Sequence, residues 1–349
     1  MAYSGNIIRD AVRAMEGRLP TGWRLKQLSR STGASGRPGG AALRLTGPGN
    51  GAASIAVETR SRLEPQQVRG LFGGGRLGSS DPVLVVAPFL SARTQAGLRD
   101  AGLNYADLTG NVRLSLSKPA LFIDARGADD DPEPITRERR SLKGAKAGRL
   151  VRALCDFKPP VGLRELAKRA GIDAGYASRV VQFLEREAIV VRTGRGPITE
   201  VDWPALIRRW SEQYSPFKRD RVAWYLAPRG LQPVVDTLKT LRGGYAVTGS
   251  WAANLLAPVA PARLLLCYAD DVDRLAKKLD LRAADAGMNV ALVRPFDDIV
   301  MDQTSDRDGL KIAAASQIAA DLLTSPGRGP NEAEALIEWM RENESAWRR

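Results

Sequence analysis

The chain has 349 residues, 44% hydrophobic and 26% charged, enough for two or three globular domains without disulfide or metal staples. It contains no histidine, which excludes Ser-His and Cys-His nucleophile pairs, His-ligated zinc and the commonest general base. Lys+Arg of 52 against Asp+Glu of 39 gives a net charge of +13, which points to polyanionic partners, although a GC-rich coding bias toward arginine accounts for part of the excess. No segment approaches the ~20 apolar residues of a membrane span, so no membrane partner is expected. Met1 to Asn6 does not resemble a signal peptide, and Cys155 and Cys267 make no disulfide framework. These features predict a cytoplasmic, nucleoid-associated protein.

Two composition breaks divide the chain: the acidic, proline-punctuated stretch Gly127 to Ile135 with the basic run Thr136 to Lys143, and a softer break around Gln213 to Asp220. The expected units are residues 1–126, a linker over 127–143, residues 144–203 and residues 204–349. In the first unit Ile7, Ile8, Val12 and Met15 lie at helical spacing, and a Gly/Ser-rich loop follows from Ser29 to Gly40. Residues 41–46 and 53–59 form an expected hairpin around Pro48 to Gly51, and residues 65–72 an expected helix. Residues 82–87 are apolar throughout, as in a strand buried on both faces, and a helix capped by Ser91 follows to Ala101. Tyr105 to Leu108 and a hairpin ending near Ile123 close the unit.

This order, with Glu58 and Arg60 on the second hairpin strand and Asp107, Gly110 and Asn111 after the last helix, resembles the restriction-endonuclease-like fold. The resemblance implies a magnesium-dependent nuclease ancestry, in which Glu-x-Lys on a strand and an upstream Asp hold the metal. Here the only acidic residue between Met15 and Glu58 is Glu16, and the lysine position holds Arg60, which stays protonated and cannot serve as a base. Glu58 and Arg60 are therefore expected to pair at a strand end, and Asp107 with Asn111 to fasten a turn around Gly110.

Residues 144–203 carry the clearest pattern. Arg149 to Phe157 has apolar positions 150, 151, 154 and 157 on one helical face and stops at Pro159-Pro160. Leu163 to Ala170 is a short helix, Gly171-Ile172 turns the chain, Asp173 caps, and Ala174 to Glu187 is a third helix. Residues 189–201 alternate into a strand, a Gly/Arg tip at Gly194-Arg195-Gly196 and a second strand, so the whole reads as a winged helix-turn-helix. Ala177, Val181 and Leu184 must pack inward, which leaves Gly175, Tyr176, Ser178, Arg179 and Gln182 outward on the half of the helix that enters a major groove. Arg179 suits guanine and Gln182 adenine, Tyr176 and Ser178 suit phosphate or a thymine methyl, Arg192 and Arg195, both expected at the wing tip, suit phosphates or the minor groove, and Lys168 and Arg169 flank the turn. The alternative use of such a module is protein contact.

In the C-terminal unit, Ala205 to Tyr214 is a helix with Leu206, Ile207 and Trp210 inward. Tyr245 to Leu256 is strand, glycine turn and helix; residues 263–268 and 289–293 are strands, and residues 272–279 a helix. Two further helices, 313–323 and 332–339, flank the loop Ser325 to Pro330. Gly249-Ser250 followed by helix and strand resembles the start of the nucleotidyltransferase fold. The expected Asp-x-Asp is replaced by adjacent Asp270 and Asp271, which point to opposite sides of an extended chain and are better placed to cap a helix. The full set of motifs, including Trp203-Pro204, Tyr245 to Ala253 and Asp321 to Glu334, resembles the abortive-infection (AbiEi-type) antitoxins of type IV toxin-antitoxin systems. Familiar members carry the winged helix at the N-terminus.

The expected fold is multi-domain α/β: a degenerate restriction-endonuclease-like domain, a central winged helix and a nucleotidyltransferase-like C-terminal domain. The expected function is a sequence-specific double-stranded DNA-binding transcriptional regulator, a repressor acting as a homodimer, without catalytic residues, metal or cofactor. The alternatives are an antitoxin that neutralises a cognate nucleotidyltransferase-like toxin and a Mg-dependent DNA nuclease using Glu58.

Overall fold

Apolar residues in the first 126 positions alternate along extended segments, and that alternation produces a sheet covered on both faces. A computed structural model describes residues 2–28, 41–72, 82–133, 141–219 and 221–349. The loop expected from Ser29 to Gly40 and most of the basic run Thr136 to Lys143 lie outside the described residues. The protein is mixed α/β and divides into two compact units, residues 1–139 with 186–188 and residues 140–185 with 189–349.

The first unit runs α1 (Ala2–Glu16), β1 (Arg24–Leu28), β2 (Ala41–Thr46), β3 (Ala52–Thr59), α2 (Pro65–Phe72), β4 (Val83–Ala87), α3 (Ala92–Asp100), β5 (Asn104–Asp107), β6 (Val112–Ser117) and β7 (Ala120–Ala125). The strands lie side by side in chain order, with β3-β4 and β4-β5 parallel and the remaining pairs antiparallel. Strand β4 shows why the apolar run was needed. Leu84 and Val86 join Ile7, Ile8 and Met15 of α1 in one cluster, while Val85 and Ala87 join Leu98 of α3 in another. Ser91 caps α3 by accepting from the Thr94 N–H. Strand β1 lies at the sheet edge with only Leu25 buried, so no alternation marks it in the sequence.

The second unit runs α4 (Ala145–Asp156), α5 (Leu163–Arg169), α6 (Ala174–Arg186), β8 (Val190–Arg192), β9 (Ile198–Val201), α7 (Trp203–Ser211), α8 (Pro216–Arg219), β10 (Arg221–Leu226), α9 (Leu231–Lys239), β11 (Tyr245–Thr248) and α10 (Gly249–Asn254). It continues with β12 (Leu265–Ala269), α11 (Val272–Lys278), β13 (Arg282–Ala283), β14 (Val290–Arg294), β15 (Ser305–Arg307), β16 (Leu310–Ile312), α12 (Ala315–Leu323), α13 (Gly329–Glu342) and α14 (Glu344–Trp347). One sheet has the order β13-β10-β14-β12-β11-β16-β15, and β8-β9 stands as a separate hairpin. Asp271 caps α11 by accepting from the Arg274 N–H, as expected of one of the adjacent acidic residues. Helix α13 begins at Gly329, three residues before the expected start; Pro330 fits its first turn, where backbone N–H groups have no intrahelical acceptor and a missing one costs no bond.

Residues 144–203 and 204–349, read from the sequence as two modules, share one continuous apolar core. Helix α4 is the reason. Leu150, Val151 and Leu154 are buried as the spacing predicts, but Arg152 and Asp156 are buried too. The Arg152 guanidinium donates to Asp156 Oδ2 (2.9 Å), Gln317 Oε1 (3.0 Å) and the carbonyls of Ile299 (3.2 Å) and Asp302 (3.0 Å). Asp156 also accepts from the Ser316 hydroxyl. A buried ion pair is tolerated only when its remaining donors and lone pairs are satisfied in this way.

Candidate nucleic-acid interface

Helices α5 and α6 meet through a turn whose geometry is local. Gly171 adopts φ +60°, a conformation unfavourable for residues with a Cβ, and the Ile172 N–H donates to the Ala167 carbonyl. Asp173 then accepts from the Tyr176 N–H at 2.7 Å, which stops the orphan donors at the start of α6 from going unpaired. That hydrogen bond, with the Lys146 ammonium 3.6 Å away, holds the Asp173 carboxyl below its ordinary range. Ala177, Val180, Val181 and Leu184 bury one side of α6. Val180 adds to the inward set read from the sequence.

The opposite side is open in part. Gly175, Arg179 and Gln182 are exposed, whereas Tyr176 and Ser178 are half-buried. Burial raises the Tyr176 phenol pKa, the Arg179 charge opposes that shift, and Asp173 adds to it. Tyr176 therefore offers an edge to the surface while its ring packs against the core. Lys168 is exposed on the last turn of α5. Arg169 is exposed but engaged: it pairs with Glu165 at 2.5 Å and lies over the Phe157 ring at 4.6 Å.

The hairpin separates the two arginines expected at its tip. Arg195 is exposed in the turn between β8 and β9, beside Gly194 at φ +61°. Arg192 instead ends β8 with its side chain only 11% exposed, gripped by Glu185 of α6 through bonds of 3.0 and 2.7 Å. This bidentate pair raises the Arg192 pKa and ties the hairpin to the helix. Placement of Arg192 on an outward tip is thus corrected: carboxylate geometry consumes its planar fork. A further tie escaped the sequence reading. Val161, just past the two prolines, exchanges backbone hydrogen bonds with Ile198 of β9 (3.0 and 2.9 Å), which anchors the hairpin to the start of α5. Val161 lies outside any periodic run, so the sequence carried only the weak signal of an apolar residue after a proline stop.

The carboxylates singled out elsewhere are occupied. Glu58 pairs with Arg60 at 2.7 Å. Buried Asp107 accepts from the N–H groups of Leu90, Thr109 and Asn111, the Thr109 hydroxyl and the Asn111 amide. Both are doing what a strand-end pair and a fastened turn require. No protein-family model matches the chain, and neither does any curated protein or solved structure.

Proposed function

We propose that residues 144–203 form a winged helix-turn-helix and that the protein is a sequence-specific double-stranded DNA-binding regulator, a repressor. The single observation that carries this reading is the exposed set Gly175, Arg179 and Gln182 along one side of α6, in one compact unit with exposed Arg195 at a glycine turn. A glycine at the leading end of a helix permits close backbone approach to a duplex, and a guanidinium two turns from the cap reaches base edges. Arg179 reads guanine and Gln182 adenine, each contributing about 1–3 kcal/mol of discrimination. Arg195 and Lys168 meet phosphates. A homodimer places two such helices on half-sites one helical turn apart.

The flanking regions are proposed as a degenerate restriction-endonuclease-like domain and a nucleotidyltransferase-like domain without catalytic activity. The ion pair at Glu58 and the five donors on Asp107 support that reading, since both carboxylates are committed to structural partners. The test is selection from a random duplex library with the full chain, followed by sequencing. A short inverted repeat is the expected product. Recovery of no shared sequence, at affinities indifferent to competitor DNA, removes the regulator from consideration.

A further inference from the structure

Away from α6, a cavity of about 360 Å³ lies in the second unit, bounded by α8, β10, β12, the turn from β11 to α10 and the loop leading into α13. Strand register sets its floor. Trp224 of β10 and Leu266 of β12 both pair with Ala291 of β14, so the three side chains leave the sheet on one face with the smallest in the middle. Gly249 keeps the far side of Leu266 open, because an added Cβ would stand 3.3 Å from it. Phe217 also lines the cavity, with its ring within 12° of the Trp224 plane and the two centroids 6.2 Å apart. Trp224 is nonetheless 38% exposed, an aromatic surface that the fold leaves uncovered.

The two arginines of the lining differ in what they have left to give. Arg328 pairs with buried Glu332 at 2.5 Å and donates to the Pro261 carbonyl, and the Ser250 hydroxyl donates to the same Glu332. Arg263 is exposed, and its guanidinium has no acceptor among the described residues. No Asp or Glu among the described residues lines the cavity.

We propose that this cavity binds a small aromatic carboxylate, its ring system along Phe217 and Trp224 and its carboxylate on Arg263. A single free guanidinium matches the two oxygens of a planar carboxylate through a bidentate pair. A phosphate draws donors from several directions, and here Ser250 and Arg328, the further donors it would need, are held by Glu332, whose own charge opposes a dianion. The volume falls within the ~300–1,000 Å³ of small-molecule sites, and Leu264 and Pro326 extend the apolar lining. The proposal does not depend on DNA binding.

The experiment is calorimetric titration of the full chain with 2-naphthoate, its neutral amide 2-naphthamide, the saturated acid decahydro-2-naphthoate and 2-naphthyl phosphate, all at one ionic strength. Saturable binding of 2-naphthoate is expected, with the amide about tenfold weaker for want of the charged pair, the saturated acid weaker for want of a flat ring, and the phosphate no tighter. Arg263→Gln, at an exposed position, is expected to weaken 2-naphthoate about tenfold, to leave the amide unchanged and to keep the wild-type Tm. Trp224→Leu is expected to weaken acid and amide alike. Equal affinity for acid and amide, or acid binding that both variants leave intact, overturns the site. Tighter binding of the naphthyl phosphate reassigns the cavity to phosphomonoesters, and absence of saturable binding removes it altogether.

Discussion

Asp321 shows how strongly one residue can tie stability to pH. It is fully buried and accepts from Thr248 Oγ1 (2.6 Å), the Tyr214 hydroxyl (2.8 Å), the Tyr268 hydroxyl (3.0 Å) and Gln317 Nε2 (2.8 Å). Desolvation outweighs these four donors and pushes its pKa from 3.8 up to about 6. The folded state therefore holds the proton more tightly than the unfolded chain. This stabilisation is complete below pH ~4 and is lost as pH rises through about 6, a change on the order of 3 kcal/mol. Denaturant titrations between those limits should show the wild type losing stability relative to Asp321→Asn; parallel pH curves for the two would contradict the assignment. Arg152→Met strands the Asp156 carboxylate in the core and should lower unfolding free energy by about 3–5 kcal/mol, read from the denaturant midpoint. Local bonds of this kind were legible in the sequence where partners are near in the chain, as at Ser91, Asp107 with Asn111, Asp173 and Asp271. The Arg152 acceptors at residues 299, 302 and 317 were not, because only tertiary folding brings them together. The Glu185–Arg192 pair was hidden for the same reason, since it forms only when the hairpin folds back on α6.

Elements announced themselves when they carried a clean apolar pattern, helices with one apolar face or strands apolar throughout. Helices α3, α5 and α6 and strands β4, β11 and β12 lie within a residue or two of their expected positions, whereas α7 starts two residues earlier, at Trp203, and ends three residues earlier, at Ser211. Strand β5 lies within a residue of the segment read at Tyr105 to Leu108 and is buried throughout, with Asn104 and Asp107 serving the neighbouring Ser115 N–H and the following turn. Strand β1 sits at an edge with a mostly exposed pattern, and helix α4 is covered on two sides rather than one. The strand-to-helix turn between β11 and α10 makes a specific demand. Gly249 has φ +64°, and an added Cβ would stand 3.3 Å from Leu266. Gly249→Ala should therefore cost at least the ~1–2 kcal/mol of a left-handed non-glycine residue and lower Tm; an unchanged Tm would mean the turn relaxes freely.

At the scale of the whole molecule, the +13 charge favours polyanions in general, and under the proposed function α6 and the hairpin would turn that long-range attraction into a defined pose on duplex DNA. The central claim is that Arg179 reads sequence while Arg195 holds the backbone. The direct measurement is fluorescence anisotropy of the full chain on a selected duplex and on a scrambled one, for wild type, Arg179→Ala and Arg195→Ala, between about 50 and about 200 mM salt. The wild type should bind both, with log K falling linearly against log salt and each phosphate contact adding about −0.9 to the slope. Arg179→Ala should narrow the gap between the duplexes by about 1–3 kcal/mol, whereas Arg195→Ala should weaken both alike. Absence of binding at the lowest salt, or an equal loss on both duplexes in both variants, contradicts the account.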